Sequence, residues 1–143
     1  MSERYKSLFD LHGKVVLVVG GTGGIGSEIA RAAAALGAKV AVTGRSEEEA
    51  STLAAEMGDK DRAMGISMEV TDLESIRQGV SAVESYLGSL DVAVNSAGTH
   101  IEQPAEEVTP EVWDEVLNVN LRGAFFLSQA AAQAMLAQEK GGS

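Results

Sequence analysis

Five apolar residues, Val15 to Val19, run straight into Gly20-Gly21-Thr22-Gly23-Gly24-Ile25-Gly26, which holds five glycines within seven residues. Ile25 to Leu36 then carries apolar residues at helical spacing in an alanine-rich stretch, and Gly37 follows as a C-cap. Lys39 to Thr43, with β-branched Val40, Val42 and Thr43, reads as a second strand. A short continuous apolar run is the signature of a strand buried on both faces. The segment therefore reads as strand, tight turn, helix, strand. Few folds accept that order other than a parallel sheet covered by helices.

The remainder of the chain repeats the alternation. Ser46 is placed to N-cap a helix whose first turn holds Glu48 and Glu49, at the positive end of the helix dipole. Arg62 to Val70 reads as a third strand, Asp72 to Leu87 as a capped helix stopped by Gly88, and Leu90 to Val94 as a fourth strand. Asn95-Ser96-Ala97-Gly98 reads as a turn, and Pro110 marks a helix start. Trp113 to Ala137 reads as helical, as two helices meeting near Asn118 to Gly123, with Trp113 in the core. Residues 1 to 13 form an irregular lead-in. The 143 residues suit one domain, an α/β, doubly wound parallel sheet.

Composition narrows the function. A net charge of −10 argues against a general nucleic-acid or anionic-membrane surface, because neutralising phosphate needs Lys and Arg. An anionic ligand must be held by local devices instead. The absence of cysteine excludes disulfides and thiolate metal sites and suits a reducing compartment. The opening Met1 to Lys14 is too polar for a signal peptide, and no apolar run reaches about 18 residues, so a cytoplasmic protein is expected.

The glycine run is such a local device. A helix N-terminus offers unpaired N–H groups and a positive dipole end, which together bind phosphate. Glycines let the backbone turn tightly and admit a pyrophosphate with no Cβ in the way. A tight strand–helix turn without a ligand is the plain alternative, but the strand before, helix after and second strand beyond favour a dinucleotide. A Walker P-loop is excluded, because Ser27 stands where its lysine is required.

Gly20 to Gly26 resembles the TGxxxGxG turn of the short-chain dehydrogenase/reductase family, with Val19 in place of the leading threonine. Asn95-Ser96-Ala97-Gly98 is similar to the family's NNAG motif, with serine for its second asparagine. Asn118-Val119-Asn120-Leu121 is similar to the segment that carries the family's helix asparagine. The resemblance covers about residues 7 to 143. It implies a Rossmann-like sheet of order 3-2-1-4 and cofactor contacts from Gly20, Gly21, Thr22, Gly24, Ile25 and Gly26. It also implies that Asn95 ties the fourth strand to its neighbours and that Ala97 and Gly98 face the cofactor. Glu69, followed by Val70, stands where the family's adenine-binding aspartate would be.

In NAD sites an acid at the end of the second strand accepts hydrogen bonds from the ribose 2′-OH. Here that position is Gly44, followed by Arg45 and Ser46. An acid would repel a 2′-phosphate, whereas a guanidinium binds it bidentately. NADP is therefore the expected cofactor, with NAD possible, and Gly44→Asp is expected to reverse the preference.

Members of the family transfer hydride between nicotinamide and a carbonyl or alcohol carbon, with a YxxxK pair and a serine completing the site. Residue 9, four after Tyr5, is Phe9, and residue 90, four after Tyr86, is Leu90, so these residues hold no YxxxK. Of the implied catalytic set only Asn120 is present, where it distorts a helix and holds a water of the proton relay. Gly141 to Ser143 falls where the family's fifth strand would begin, with Ser143 before that strand, so the chain reads as the cofactor-binding half of a longer enzyme. A non-catalytic dinucleotide-binding or interaction module is the alternative. Ser7 to Lys14 resembles gluconate-dehydrogenase-like members, and 3-oxoacyl carrier-protein reductases share the same core motifs. The expected partners are a small carbonyl or alcohol substrate and further copies of the chain, docked through the alanine-rich C-terminal helices.

Overall fold

The computed structural model describes residues 9–138 and 141–143. The lead-in before Phe9, including Tyr5, lies outside the described residues. Strands β1 (Val15–Val19), β2 (Lys39–Gly44), β3 (Ala63–Ser67) and β4 (Val92–Asn95) form one parallel sheet of order β3-β2-β1-β4. Helices α1 (Gly24–Ala35), α2 (Glu47–Ala55), α3 (Leu73–Leu87), α4 (Pro110–Leu117) and α5 (Ala124–Ala137) surround it, and a π-helical segment, Asn118–Gly123, joins the last two.

Every residue of β1 is buried, because the strand is central and covered on both faces. Its side chains alternate. Val15, Leu17 and Val19 pack with Ile76, Val80 and Val83 of α3 and Leu127 and Ala131 of α5. Val16 and Val18 pack with Ala30 and Ala33 of α1 and Leu53 of α2. Full burial of each such valine, leucine or isoleucine contributes about 1.5–3 kcal/mol relative to exposure.

The helix ends follow from local chemistry. Ser46 Oγ accepts from Glu49 N at α2, Asp72 from Glu74 N at α3, and Thr109 Oγ1 from Val112 N at α4, where Pro110 takes the first helical position. Gly37 and Gly88 leave α1 and α3 with positive φ.

Three expectations are corrected. The third strand ends at Ser67, not Val70: Met68 N still donates to Gly44 O, and the chain then turns, with Asp72 N donating to Glu69 O. The fourth strand starts at Val92, because the N–H and C=O of Leu90 are both taken by the side-chain amide of Gln138. Trp113 is not core but 59% exposed, since no residue of α4 is buried against the sheet. The two C-terminal helices do meet at Asn118–Gly123, and the helical run continues through the junction with π geometry.

Ser143 N donates to Asp91 O and Ser143 O accepts from Ala93 N, at 2.9 and 2.8 Å. This is the hydrogen-bond pattern of a parallel bridge opposite Val92. Ser143 is thus held by its backbone against the edge of β4 that β1 leaves free.

Candidate functional site: a cleft at the strand ends

The carboxyl ends of the four strands open into one cleft of about 560 Å³. Gly20, Thr22 and Gly23 reach it from the turn after β1, and Gly44 and Arg45 from the end of β2. Glu69, Val70 and Thr71 follow β3, and Ser96 to Thr99 follow β4. Asn118 and Val119 of the π segment close the far side. The cleft lies where β1 separates crossovers running in opposite directions, the switch point at which ligands bind in open α/β sheets.

The glycine turn is closed on itself. Gly20 has φ +72°, and a Cβ there would lie 2.6 Å from Ala97 N. At Gly26 a Cβ would lie 2.3 Å from Gly20 O, and at Gly21 it would lie 2.6 Å from Val42 Cγ1. A side chain at any of these three positions would force the turn or its neighbours to shift. Gly24 differs, with nothing within 4 Å of the space a Cβ would take.

The start of α1 is bare in a second sense. Its N-cap is Gly23, no side chain caps it, and its first turn holds no acid. Helices α2, α3 and α4 each have both a capping side chain and an acid there. The first N–H groups of α1 have no partner within their own helix. A dinucleotide's pyrophosphate fits such a set, since it needs N–H donors and room.

The other expected residues divide by what they touch. Arg45 is exposed at the cleft, and among the described residues its guanidinium makes no ion pair or hydrogen bond. Glu69 lines the cleft, but Oε1 accepts from both Thr71 N and Thr71 Oγ1, which holds the carboxylate in one orientation. Glu69 N donates to Ser75 Oγ. Val70, Ala97 and Gly98 also line the cleft. Ile25 is exposed, and Ser46 borders the adjoining groove between α1 and α2 together with Thr22. Asn95 pairs with Val19 of β1 through its backbone, while its Oδ1 accepts from Ala97 N and closes its own turn.

Asn120 is not among the residues lining the cleft. Its Oδ1 accepts from Thr99 N at 2.8 Å and its Nδ2 donates to Thr99 O at 2.7 Å, so the amide pins the turn after β4 to the π segment. Sequence reasoning missed Thr71 and Thr99, the backbone and hydroxyl partners that hold Glu69 and Asn120. The Glu-Val-Thr-Asp order, acid and hydroxyl two apart, was the available signal for the first of them.

A second, larger groove of about 810 Å³ lies outside the helical run, between Leu117, Leu121, Phe125 and Phe126, with Glu111, Asp114 and Glu115 at its rim. It is apolar, and the glycine turn, Arg45 and Glu69 lie outside it. The glycine turn, Arg45 and Glu69 gather instead at the cleft of the strand ends.

The description short chain dehydrogenase fits residues 14–143. The chain belongs to the short-chain dehydrogenase family. Among curated relatives of this short-chain dehydrogenase chain, the D-threitol dehydrogenase of Mycolicibacterium smegmatis is 42% identical over 94% of the chain and 51% of its own length. The gluconate 5-dehydrogenase of Gluconobacter oxydans is 33% identical over 96% of the chain and 54% of its own. The 3-oxoacyl-[acyl-carrier-protein] reductase of Aquifex aeolicus is 36% identical over 92% and 54%. A solved short-chain dehydrogenase/reductase from Mycobacterium marinum superposes with a TM-score of 0.91 at 35% identity, over 99% of this chain and 57% of that one. The chain thus spans about half the length of the relatives it matches. No helix among the described residues is long and apolar enough to cross a membrane.

Proposed function

We propose that these residues are the cofactor-binding part of an NADP(H)-dependent oxidoreductase acting on a carbon that alternates between carbonyl and alcohol. The observation that carries the reading is the uncapped, acid-free start of α1, set on a turn that admits no Cβ at Gly20 or Gly26. When bound, the cofactor supplies the hydride donor or acceptor.

The chain's own residues bind and orient. The backbone N–H groups at Gly24, Ile25 and Gly26 take the pyrophosphate, with Gly20 and Gly21 shaping the turn beneath them. Arg45 takes the 2′-phosphate. Ser46 is a second donor, because its oxygen accepts from Glu49 N while its hydroxyl proton stays free. Glu69 Oε1 is committed to Thr71, so its other oxygen is the acceptor for the adenine amino group, beside Val70. Ala97 and Gly98 floor the inner cleft. Asn120 acts as a positioning residue through Thr99. NAD shares the pyrophosphate site without the contact to Arg45.

Several curated relatives are named for polyols or sugar acids: D-threitol, gluconate and galactitol. A polyhydroxylated substrate is accordingly our reading for the whole enzyme, with the tyrosine–lysine pair supplied from outside residues 1–143. Association of copies through α4 and α5 completes the proposal. The test is titration of the full-length protein with NADPH and NADH, followed by a polyol panel. Tight NADPH binding with polyol oxidation is expected. Binding without turnover of any polyol or ketone would favour a non-catalytic module, and no binding of either dinucleotide would overturn the proposal.

A further inference from the structure

Gly44 carries no side chain, yet its backbone does not demand glycine: it is absent from the residues with positive φ. What it lacks is room. A Cβ at Gly44 would lie 2.5 Å from Thr22 Oγ1, 2.8 Å from Thr22 Cγ2 and 3.2 Å from Thr22 Cβ. The two branches of Thr22 therefore both face residue 44, with the Cβ hydrogen turned away.

A rotamer change does not clear the space. Staggered rotation about χ1 moves the hydrogen onto one of the two facing positions and leaves a heavy atom on the other. Thr22 is itself fixed in the glycine turn, between Gly21, whose N–H donates to Thr43 O, and Gly23, whose N–H donates to Gly20 O. It lines both the cofactor cleft and the adjoining groove, and among the described residues its hydroxyl makes no hydrogen bond.

We infer that Thr22 is a specificity-determining residue: its branched side chain stands in the volume that an acid at position 44 would need, so Thr22 and Gly44 set the cofactor preference as a pair. This rests on the reading that the cleft takes a nicotinamide dinucleotide. It corrects the expectation from sequence that Gly44→Asp alone reverses the preference. A lone acid at 44 forces the glycine turn to shift, and that turn is the pyrophosphate site for NADH and NADPH alike. An overpacked contact costs stability as well as geometry. Removing both branches of Thr22 leaves only its Cβ, at 3.2 Å, which a small shift accommodates.

The test uses the full-length protein in four forms: wild type, Gly44→Asp, Thr22→Ala and the double variant. Two readouts are taken, the melting temperature without cofactor and fluorescence titration with NADH and with NADPH. Gly44→Asp alone is expected to melt several degrees lower and to bind both dinucleotides about tenfold more weakly or worse. The double variant is expected to recover most of the melting temperature and to favour NADH by about ten- to a hundredfold, the worth of a charge-assisted hydrogen bond. Gly44→Ala with and without Thr22→Ala isolates the steric contact from the charge, and the same rescue of melting temperature is expected. If Gly44→Asp alone melts like wild type and prefers NADH, the inference is overturned while the proposed function stands. If wild type binds neither dinucleotide, the proposed function falls and takes the inference with it.

Discussion

Asn120 and Thr99 exchange two hydrogen bonds, side-chain amide against backbone N–H and C=O, across 21 residues of sequence. Gln138 makes the same exchange with Leu90, at 2.6 and 2.8 Å. One helical run thus grips the chain on both sides of β4, and its π segment aims the first grip at the turn that lines the cleft. Asn120→Ala should destabilise the protein by about 1 kcal/mol, because a net hydrogen bond is worth 0.5–1.5 and this pair is partly exposed. Asn120→Asp should be at least as damaging, since a carboxylate then faces Thr99 O. Faster hydrogen exchange at the Thr99 amide in both variants is the check. Unchanged exchange would show that the turn holds itself.

The two ends of the glycine turn should separate folding from binding. Gly26→Ala puts a Cβ against Gly20 O, an overpacking that costs about 1–3 kcal/mol. Gly24→Asp meets open space at the first position of α1, where an acid stabilises the helix by about 0.3–1 kcal/mol. The same acid opposes a pyrophosphate. Thermal melts paired with NADPH titration should show Gly26→Ala losing stability and Gly24→Asp keeping it while losing affinity. Retained affinity in Gly24→Asp would remove the pyrophosphate from this helix end.

Arg45→Ala should weaken NADPH about ten- to a hundredfold and leave NADH nearly unchanged, the worth of a charge-assisted contact of about 1.5–3 kcal/mol. Because Arg45 is exposed, added salt should narrow the NADPH advantage. Paired titrations at two ionic strengths decide this. Equal losses for both dinucleotides would make Arg45 a support of the loop.

Asp91 sits at the opposite end of the sheet. Burial pushes its carboxyl up, but hydrogen bonds from Val15 N and Ser89 Oγ, with Lys14 Nζ at 3.6 Å, outweigh burial and hold it below the usual value. A carboxyl depressed in the folded state adds stability above its unfolded pKa of about 3.9, and that stability is lost as pH falls through the folded value. Wild type should lose more stability than Asp91→Asn between about pH 5 and pH 3. Parallel slopes in denaturant melts over that range would contradict the assignment.

Leu121 and Phe125 are 64% and 60% exposed beside the apolar groove of α4 and α5. If copies associate there, Leu121→Glu with Phe125→Glu should reduce the assembly to monomers in sedimentation without lowering helicity. An unchanged sedimentation coefficient would place the interface elsewhere.

Much of this protein was legible along the chain, because it depends on near neighbours. The buried strand Val15–Val19, the caps Ser46 and Asp72, the helix start at Pro110, and the αL exits at Gly37 and Gly88 each follow from the chemistry of a few consecutive residues. The glycine turn was legible too, as its donors belong to the helix that it starts. Tertiary structure decided what depends on residues meeting from afar. Gly44 reads in sequence as a missing acid, but in space it is the room that Thr22 occupies. Asn120 reads as a helix distortion, and its partner Thr99 is supplied by the β4 turn. Trp113 reads as core by its apolar character, yet no residue of α4 is fully buried and Trp113 is exposed. Ser143 reads as lying before a fifth strand, and its backbone meets β4 because that edge offers Asp91 O and Ala93 N. Periodicity records how a residue relates to its own helix or strand, whereas contacts between elements are fixed only when the sheet order β3-β2-β1-β4 brings their ends together.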